Sequence, residues 1–204
     1  MAANKHQQKS EATRRKLLEA ALRIFARDGF EAARLEDIAK ESGHTRGAFY
    51  ANFDTKEDLF LALLEQQASE RLEQLRRLLE KNDNMAARLE TLRSFYLARA
   101  KDRQKILLTL EFKLFALRRP HVRARLAGAH RRIRASLNYD ELKKLLPFGP
   151  GSNNEIDKLL FEVVLVGLVL EHAYDPKRIS AQQMTKTLGR AFDWLIPPAH
   201  VAER

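Results

Sequence analysis

Apolar residues along this chain recur mostly at helical spacing. Leu17, Ala21, Ile24 and Phe25 share one face of a first helix that should run from Ser10 or Thr13 to Asp28. Gly29-Phe30 then ends it as a glycine C-cap followed by an apolar contact. A short amphipathic helix is expected over 35–42 and a second over about 46–52, with Gly43 between them. Thr55-Lys-Glu-Asp58 has the form of a capping box, Asp58 standing where Glu or Gln is usual. It should open a long helix reaching about Lys81, with Leu59, Leu63, Leu72, Leu75 and Leu79 among its apolar positions. At about 1.5 Å per residue such a helix spans roughly 39 Å, enough to join two lobes.

The same period continues beyond Asn82-Asp-Asn84 through Leu89, Leu92 and Tyr96, and again through Ile106, Leu110, Leu114 and Leu117. Pro120 sits where proline starts a helix, followed by Val122, Leu126, Ala129, Ile133 and Leu137. Pro147 to Asn154 reads as a loop. Residues 156–174 are apolar on nearly every side, and Asp175-Pro176 ends them. Met184, Leu188, Ala191 and Leu195 mark a last helix, stopped by Pro197-Pro198. No strand pattern competes, so the fold class expected is all-α. The organisation expected is a helix-turn-helix domain over 1–60, with residues 1–9 as a mobile basic arm, and a helical domain over 61–204.

Length and composition narrow the classes. A chain of 204 residues with 45% apolar content can bury a core. It has no cysteine, which excludes disulfides and thiolate metal sites. The first dozen residues lack the apolar segment of a signal peptide. The longest apolar run, Val163 to Leu170, falls far short of the roughly 20 residues of a membrane span. A cytoplasmic protein without membrane contact is expected. The net charge of +10 favours a polyanionic partner. Residues 1–60 carry eleven Lys/Arg against ten Asp/Glu, whereas 93–134 carry thirteen against two. The basic excess therefore lies mainly outside the expected helix-turn-helix, as a solvated face or as a surface for an anionic ligand, an acidic partner or DNA.

The residues from Gly43 to Leu59 carry the functional signal. Gly43 closes one helix in the left-handed region, and Thr45 can cap the next. The second helix has small or polar side chains at Arg46, Gly47, Ala48, Ala51 and Asn52, while Phe49 and Phe53, four apart, anchor its other face. A short helix of that shape can enter a major groove.

In this form the first sixty residues resemble the TetR family of transcriptional regulators. The likeness runs through Leu18-Glu-Ala-Ala-Leu-Arg-Ile-Phe25, Asp28-Gly-Phe30, Asp37-Ile-Ala39, Gly43, Thr45-Arg-Gly-Ala-Phe-Tyr50, Phe53 and Thr55-Lys-Glu-Asp-Leu59. The resemblance implies a dimeric, ligand-responsive regulator, with a repressor favoured, that binds a palindromic double-stranded operator and is released by an inducer whose identity the chain does not disclose. It puts Thr45, Arg46, Gly47 and Ala48 at the DNA-facing end of the recognition helix, with Asn52 farther along it. Tyr50 and Lys56 are expected on backbone phosphates. Arg46 suits guanine by its guanidinium geometry, though a phosphate role is open. Arg34 and His44 depart from the family pattern. Arg34 replaces a Ser or Thr cap and brings a cation; His44, in place of an apolar turn residue, either loosens the turn or adds a groove contact.

For the body of the chain the resemblance implies an inner pocket and a four-helix dimer interface. Phe95, Tyr96, Glu111, Phe112 and Phe115 are the pocket candidates, since ligand sites are mostly apolar with few polar groups. Glu111, set among apolar residues, needs a partner if buried: an internal arginine, or else it faces the ligand cavity. Leu160, Val164, Gly167, Glu171, Leu188 and Phe192 are the interface candidates. No metal-ligand cluster, phosphate loop or nucleophile motif is visible, so no cofactor and no enzymatic role are expected. Two other readings remain open: a constitutive, weakly specific DNA-binding protein, and a helical enzyme or carrier.

Overall fold

The computed structural model describes residues 2–136, 145 and 154–195. Among them there are nine helices and no strand: α1 Ala2–Asp28, α2 Leu35–Glu41, α3 Arg46–Tyr50, α4 Lys56–Glu80, α5 Met85–Arg99, α6 Arg103–Leu117, α7 Pro120–Ser136, α8 Asn154–Tyr174 and α9 Ala181–Leu195. The all-α expectation holds among these residues. The predicted arm is corrected: α1 begins at Ala2, so the basic segment before Ser10 continues the helix. Leu137, the loop from Pro147 up to Asn154 and the Pro197-Pro198 stop lie outside the described residues.

Local chemistry explains the helix ends. Gly29 takes φ +79, and its amide returns to Phe25 O at 2.9 Å, closing α1 in a conformation that side chains with a Cβ disfavour. Asn84 caps α5 by accepting from the Ala87 amide at 2.9 Å. At the start of α4, the Asp58 amide donates to Thr55 Oγ1 at 3.1 Å. The Thr55 hydroxyl donates to Asp58 Oδ2 at 2.6 Å. Asp is one methylene shorter than Glu, so its carboxylate closes on the hydroxyl where a Glu would reach the cap residue's own amide.

The chain divides into two compact units, Met1–Glu70 with Leu108–Leu137, and Arg71–Leu107 with Asn138–Arg204. This does not follow a single cut after residue 60: the end of α6 and all of α7 pack with the helix-turn-helix. Five phenylalanines hold that first unit together. Phe30 lies 5.4 Å from Phe25, 5.1 Å from Phe60, 5.1 Å from Phe112 and 4.8 Å from Phe115, and Phe60 stacks on Phe112 at 4.2 Å. Tilted and edge-on pairs at these distances add to the burial of the rings. Leu17, Ile38, Phe49, Leu59 and Leu126 complete the core.

In the second unit α9 packs on α8 and α5. Phe161, Leu165 and Val169 from α8 are buried, as are Met184, Leu188 and Phe192 from α9 and Leu92 from α5. Leu188 and Phe192 are thus core residues of their own unit, which corrects their placement at a dimer interface. The strong amphipathic pattern of α9 is spent on this internal packing. Arg93 anchors the same face by pairing with Asp193 at 2.9 Å, which holds the guanidinium in its charged form. Tyr96 sits edge-on to Phe161 at 5.1 Å.

Candidate nucleic-acid interface

The turn between α2 and α3 is built from backbone first. Gly43 adopts φ +73, its amide donating to Lys40 O at 3.0 Å while the His44 amide donates to Ala39 O at 2.9 Å. Ser42 is buried, its hydroxyl donating to Ala39 O at 2.7 Å. His44 folds back on the same turn, Nδ1 to Ser42 O at 2.8 Å. A carbonyl only accepts, so Nδ1 carries the proton. His44 therefore fastens the turn it was expected either to loosen or to extend into the groove.

Thr45 then caps α3, accepting from the Ala48 amide at 3.3 Å. Phe49 is fully buried and Phe53 nearly so, which fixes the inner face of α3. Arg14 from α1 covers the Phe53 ring at 4.6 Å. Thr45, Arg46, Gly47 and Tyr50 are left exposed on the outer face, with Ala48 and Asn52 half-buried beside them. Asn52 donates to Ala48 O at 2.8 Å, so its amide nitrogen is occupied by its own helix.

Arg46 is held in place before any ligand arrives. Its guanidinium meets Glu36 Oε1 at 2.9 Å and donates to the Tyr50 hydroxyl at 3.2 Å. The Tyr50 hydrogen bond, with Glu36 adding to it, favours the charged form. Both contacts lie on the surface and contribute little to stability. Their effect is to orient the two side chains most exposed on α3. Glu36 was not singled out in the sequence, because it lies ten positions away across a turn and no spacing rule relates it to Arg46.

Lys56 sits differently from its expected phosphate position. Its ammonium donates to Glu31 O at 2.9 Å and Ala33 O at 3.0 Å, over the Phe30 ring at 5.0 Å. Partial burial pushes its pKa down. An ammonium has three donors. Two of them satisfy the α1–α2 turn. Arg34 is exposed and makes no side-chain cap to α2, in agreement with the missing Ser or Thr.

The α1–α2 turn is also gripped from α6 and from the turn that follows it. Glu111 accepts from the Phe30 amide at 2.8 Å, and Arg119 reaches Glu31 at 2.5 Å. Glu111 thus pairs with a backbone N–H, a partner outside the two alternatives read from the sequence. Of the five pocket candidates, Phe95 and Tyr96 belong to the second unit, and Glu111, Phe112 and Phe115 belong to the first. Phe115 is a core ring against Phe30, and Phe112 lines a groove of about 360 Å³ between α6 and α7. A second cleft of about 500 Å³ is bordered by Arg14, Arg132, Asp54, Asp58 and Glu65. The basic run is divided as well. Its part in the first unit, residues 108–137, brings eight Lys/Arg and one Glu to the unit that holds the helix-turn-helix. The charge deficit seen in the first sixty residues is made up by folding.

The family profile described as bacterial regulatory proteins, tetR family, matches residues 17–63. Over those residues the chain is similar to the TetR family. The transcriptional regulator AcrR of Shigella flexneri is 43% identical over 63 residues, covering 31% of this chain and 29% of AcrR. The transcriptional repressor AcnR of Corynebacterium glutamicum is 40% identical over 57 residues, covering 28% of this chain and 30% of AcnR. The matched segment is thus under a third of either relative. Over the greater part of the chain the likeness is one of fold. The regulator FadR from Bacillus subtilis, solved with stearoyl-CoA, is 17% identical and covers 89% of this chain and 97% of its own, with a TM-score of 0.65. The TetR-family match lies on the helices that carry Arg46 and Tyr50.

Proposed function

We propose that this chain is a TetR-family regulator, cytoplasmic and non-enzymatic, that binds a palindromic operator as a homodimer, acts as a repressor, and lets go when a small molecule binds. The observation that carries this reading is the outer face of α3: a capped five-residue helix locked inward by Phe49, with Arg46 and Tyr50 exposed and mutually oriented. Arg46 reads a base edge or a phosphate, Tyr50 a phosphate, and the α3 N-terminal residues Thr45, Gly47 and Ala48 allow close approach. Gly47 supports this, since a Cβ there would meet only Thr45 Oγ1 at 3.7 Å on its own chain.

Dimerisation is supported by α8. Its inner face is buried through Phe161, Leu165 and Val169, yet Leu160, Val163 and Leu170 remain exposed on the other side. Gly167 sits among them with open space where a Cβ would be. An exposed apolar stripe of this kind marks an association surface. Two-fold symmetry then presents two recognition helices to two half-sites. The ligand-bound FadR structure supports a ligand-responsive fold.

Selection from random DNA, followed by footprinting at near-physiological salt, tests the reading. A protected palindrome is expected, with Arg46→Ala lowering affinity by about 1–3 kcal/mol and Tyr50→Phe by less. Equal affinity for random DNA with a steep salt dependence would instead mark a non-specific coat protein.

A further inference from the structure

The groove between α6 and α7 has a chemistry that the DNA-reading surface does not use. Its floor is apolar, with Phe112, Ala116, Leu117 and Leu126. Lys113, Arg123 and Arg131 stand exposed around it, and no carboxylate lines it. Among the described residues none of those three cations has an acidic partner, unlike Arg119 and Arg125 of the same region, which pair with Glu31 and Asp58. Leu117 is 58% exposed, an apolar surface that its own fold leaves uncovered. At about 360 Å³ the groove is at the small end of ligand sites.

We propose that this groove binds a medium-chain fatty carboxylate, its chain on Phe112 and Leu117 and its carboxylate among Lys113, Arg123 and Arg131. A neutral chain would leave the three cations unanswered, and a bare anion would leave the apolar floor wet. The proposal deepens the ligand-responsive reading given above and rests on it for its effect on DNA. The connection is short. Phe112 stacks on Phe60 at the head of α4 and meets Phe30 edge-on, and its neighbour Glu111 holds the Phe30 amide. A chain laid against Phe112 presses on the ring that frames the α1–α2 turn, so binding and operator affinity are coupled in both directions.

Calorimetry on the full chain with decanoate, decanol and inorganic phosphate tests the site. Decanoate should bind, with decanol and phosphate each weaker by about tenfold or more. The double variant R123Q/R131Q should weaken decanoate by about tenfold or more. Ala127→Trp, at an exposed position on the groove wall, should block it, and thermal melts of both variants should match the parent. Decanoate binding that is equal in parent and variants, or no binding at all, overturns the site. Decanol binding as tightly as decanoate overturns the carboxylate assignment. Fluorescence anisotropy of labelled operator in the same samples separates the two readings. Decanoate that binds through Arg123 and Arg131 while leaving operator affinity unchanged supports the site and overturns its regulatory effect. Failure to bind any operator overturns the DNA reading while calorimetry still decides the groove.

Discussion

Glu111 Oε2 accepts the backbone N–H of Phe30 at 2.8 Å, joining residues 81 apart in the chain. The same oxygen lies 2.8 Å from where a Cβ on residue 29 would stand, so Gly29 is needed for its positive φ and for the space it leaves. Glu111→Ala removes a charge-assisted hydrogen bond and leaves the Phe30 amide without it. A loss of about 1–3 kcal/mol in urea unfolding is expected, with operator affinity reduced in parallel. Glu111→Gln, which keeps an acceptor, should lose less. Equal stability of parent and Ala variant would show that solvent replaces the contact.

Gly43 offers a test of backbone strain alone. It takes φ +73, and a Cβ there would touch nothing within 4 Å. Gly43→Ala should therefore cost about 1–2 kcal/mol, all of it from placing a side-chain-bearing residue in the left-handed region. Gly43→Asn should cost less, because Asn tolerates that region better. Chemical denaturation of the two variants measures the difference, and equal losses would point to a cause other than φ.

The Glu31–Arg119 pair carries a pH dependence of known sign. The Arg119 hydrogen bond, and then its charge, hold the Glu31 carboxyl below its ordinary value of 4.5. A carboxyl depressed in the folded state contributes stability that is full above its unfolded value and lost as pH falls through the folded one. Parent and Glu31→Gln should differ in urea midpoint near neutral pH and converge in acid below 4.5. The pair is exposed, so the difference should be small. A gap that persists unchanged in acid would mean the Glu31 charge is not its source.

The two faces of α8 should respond oppositely to the same substitution. Val163 is 60% exposed and Leu165 fully buried. Val163→Asp should give a folded monomer by analytical ultracentrifugation. Leu165→Asp should fail to fold, since it places an unpaired charge in the core. A Val163→Asp protein that stays dimeric would move the interface off this stripe.

The helices and most of their ends, though not the start of α1, were legible because they rest on local rules. Gly29, Gly43, Thr45, Thr55 with Asp58 and Pro120 act within a few residues of themselves. Periodicity exposed the apolar faces, and the order of residues from Leu18 to Leu59 carried the resemblance to the TetR family. The partners of Arg46, Lys56 and Glu111 were not legible. They lie across turns or many helices away, where no spacing rule applies. Leu188 and Phe192 illustrate the same limit: an apolar stripe states that a face is covered, not whether its own chain or a second one covers it.

Sequence by itself thus determined that the chain is helical where described, that its first sixty residues resemble the TetR-family helix-turn-helix, and which side of α3 is outward. Tertiary structure decided that α6 and α7 pack with that motif and bring their positive charge to it. It also decided that Glu111, Arg119 and Lys56 converge on one turn, and that Leu188 and Phe192 of α9 are buried inside their own unit. The physical reason is range. Capping, backbone conformation and helical period act over a few residues, whereas ring packing, ion pairing and shared charge depend on neighbours that only folding supplies.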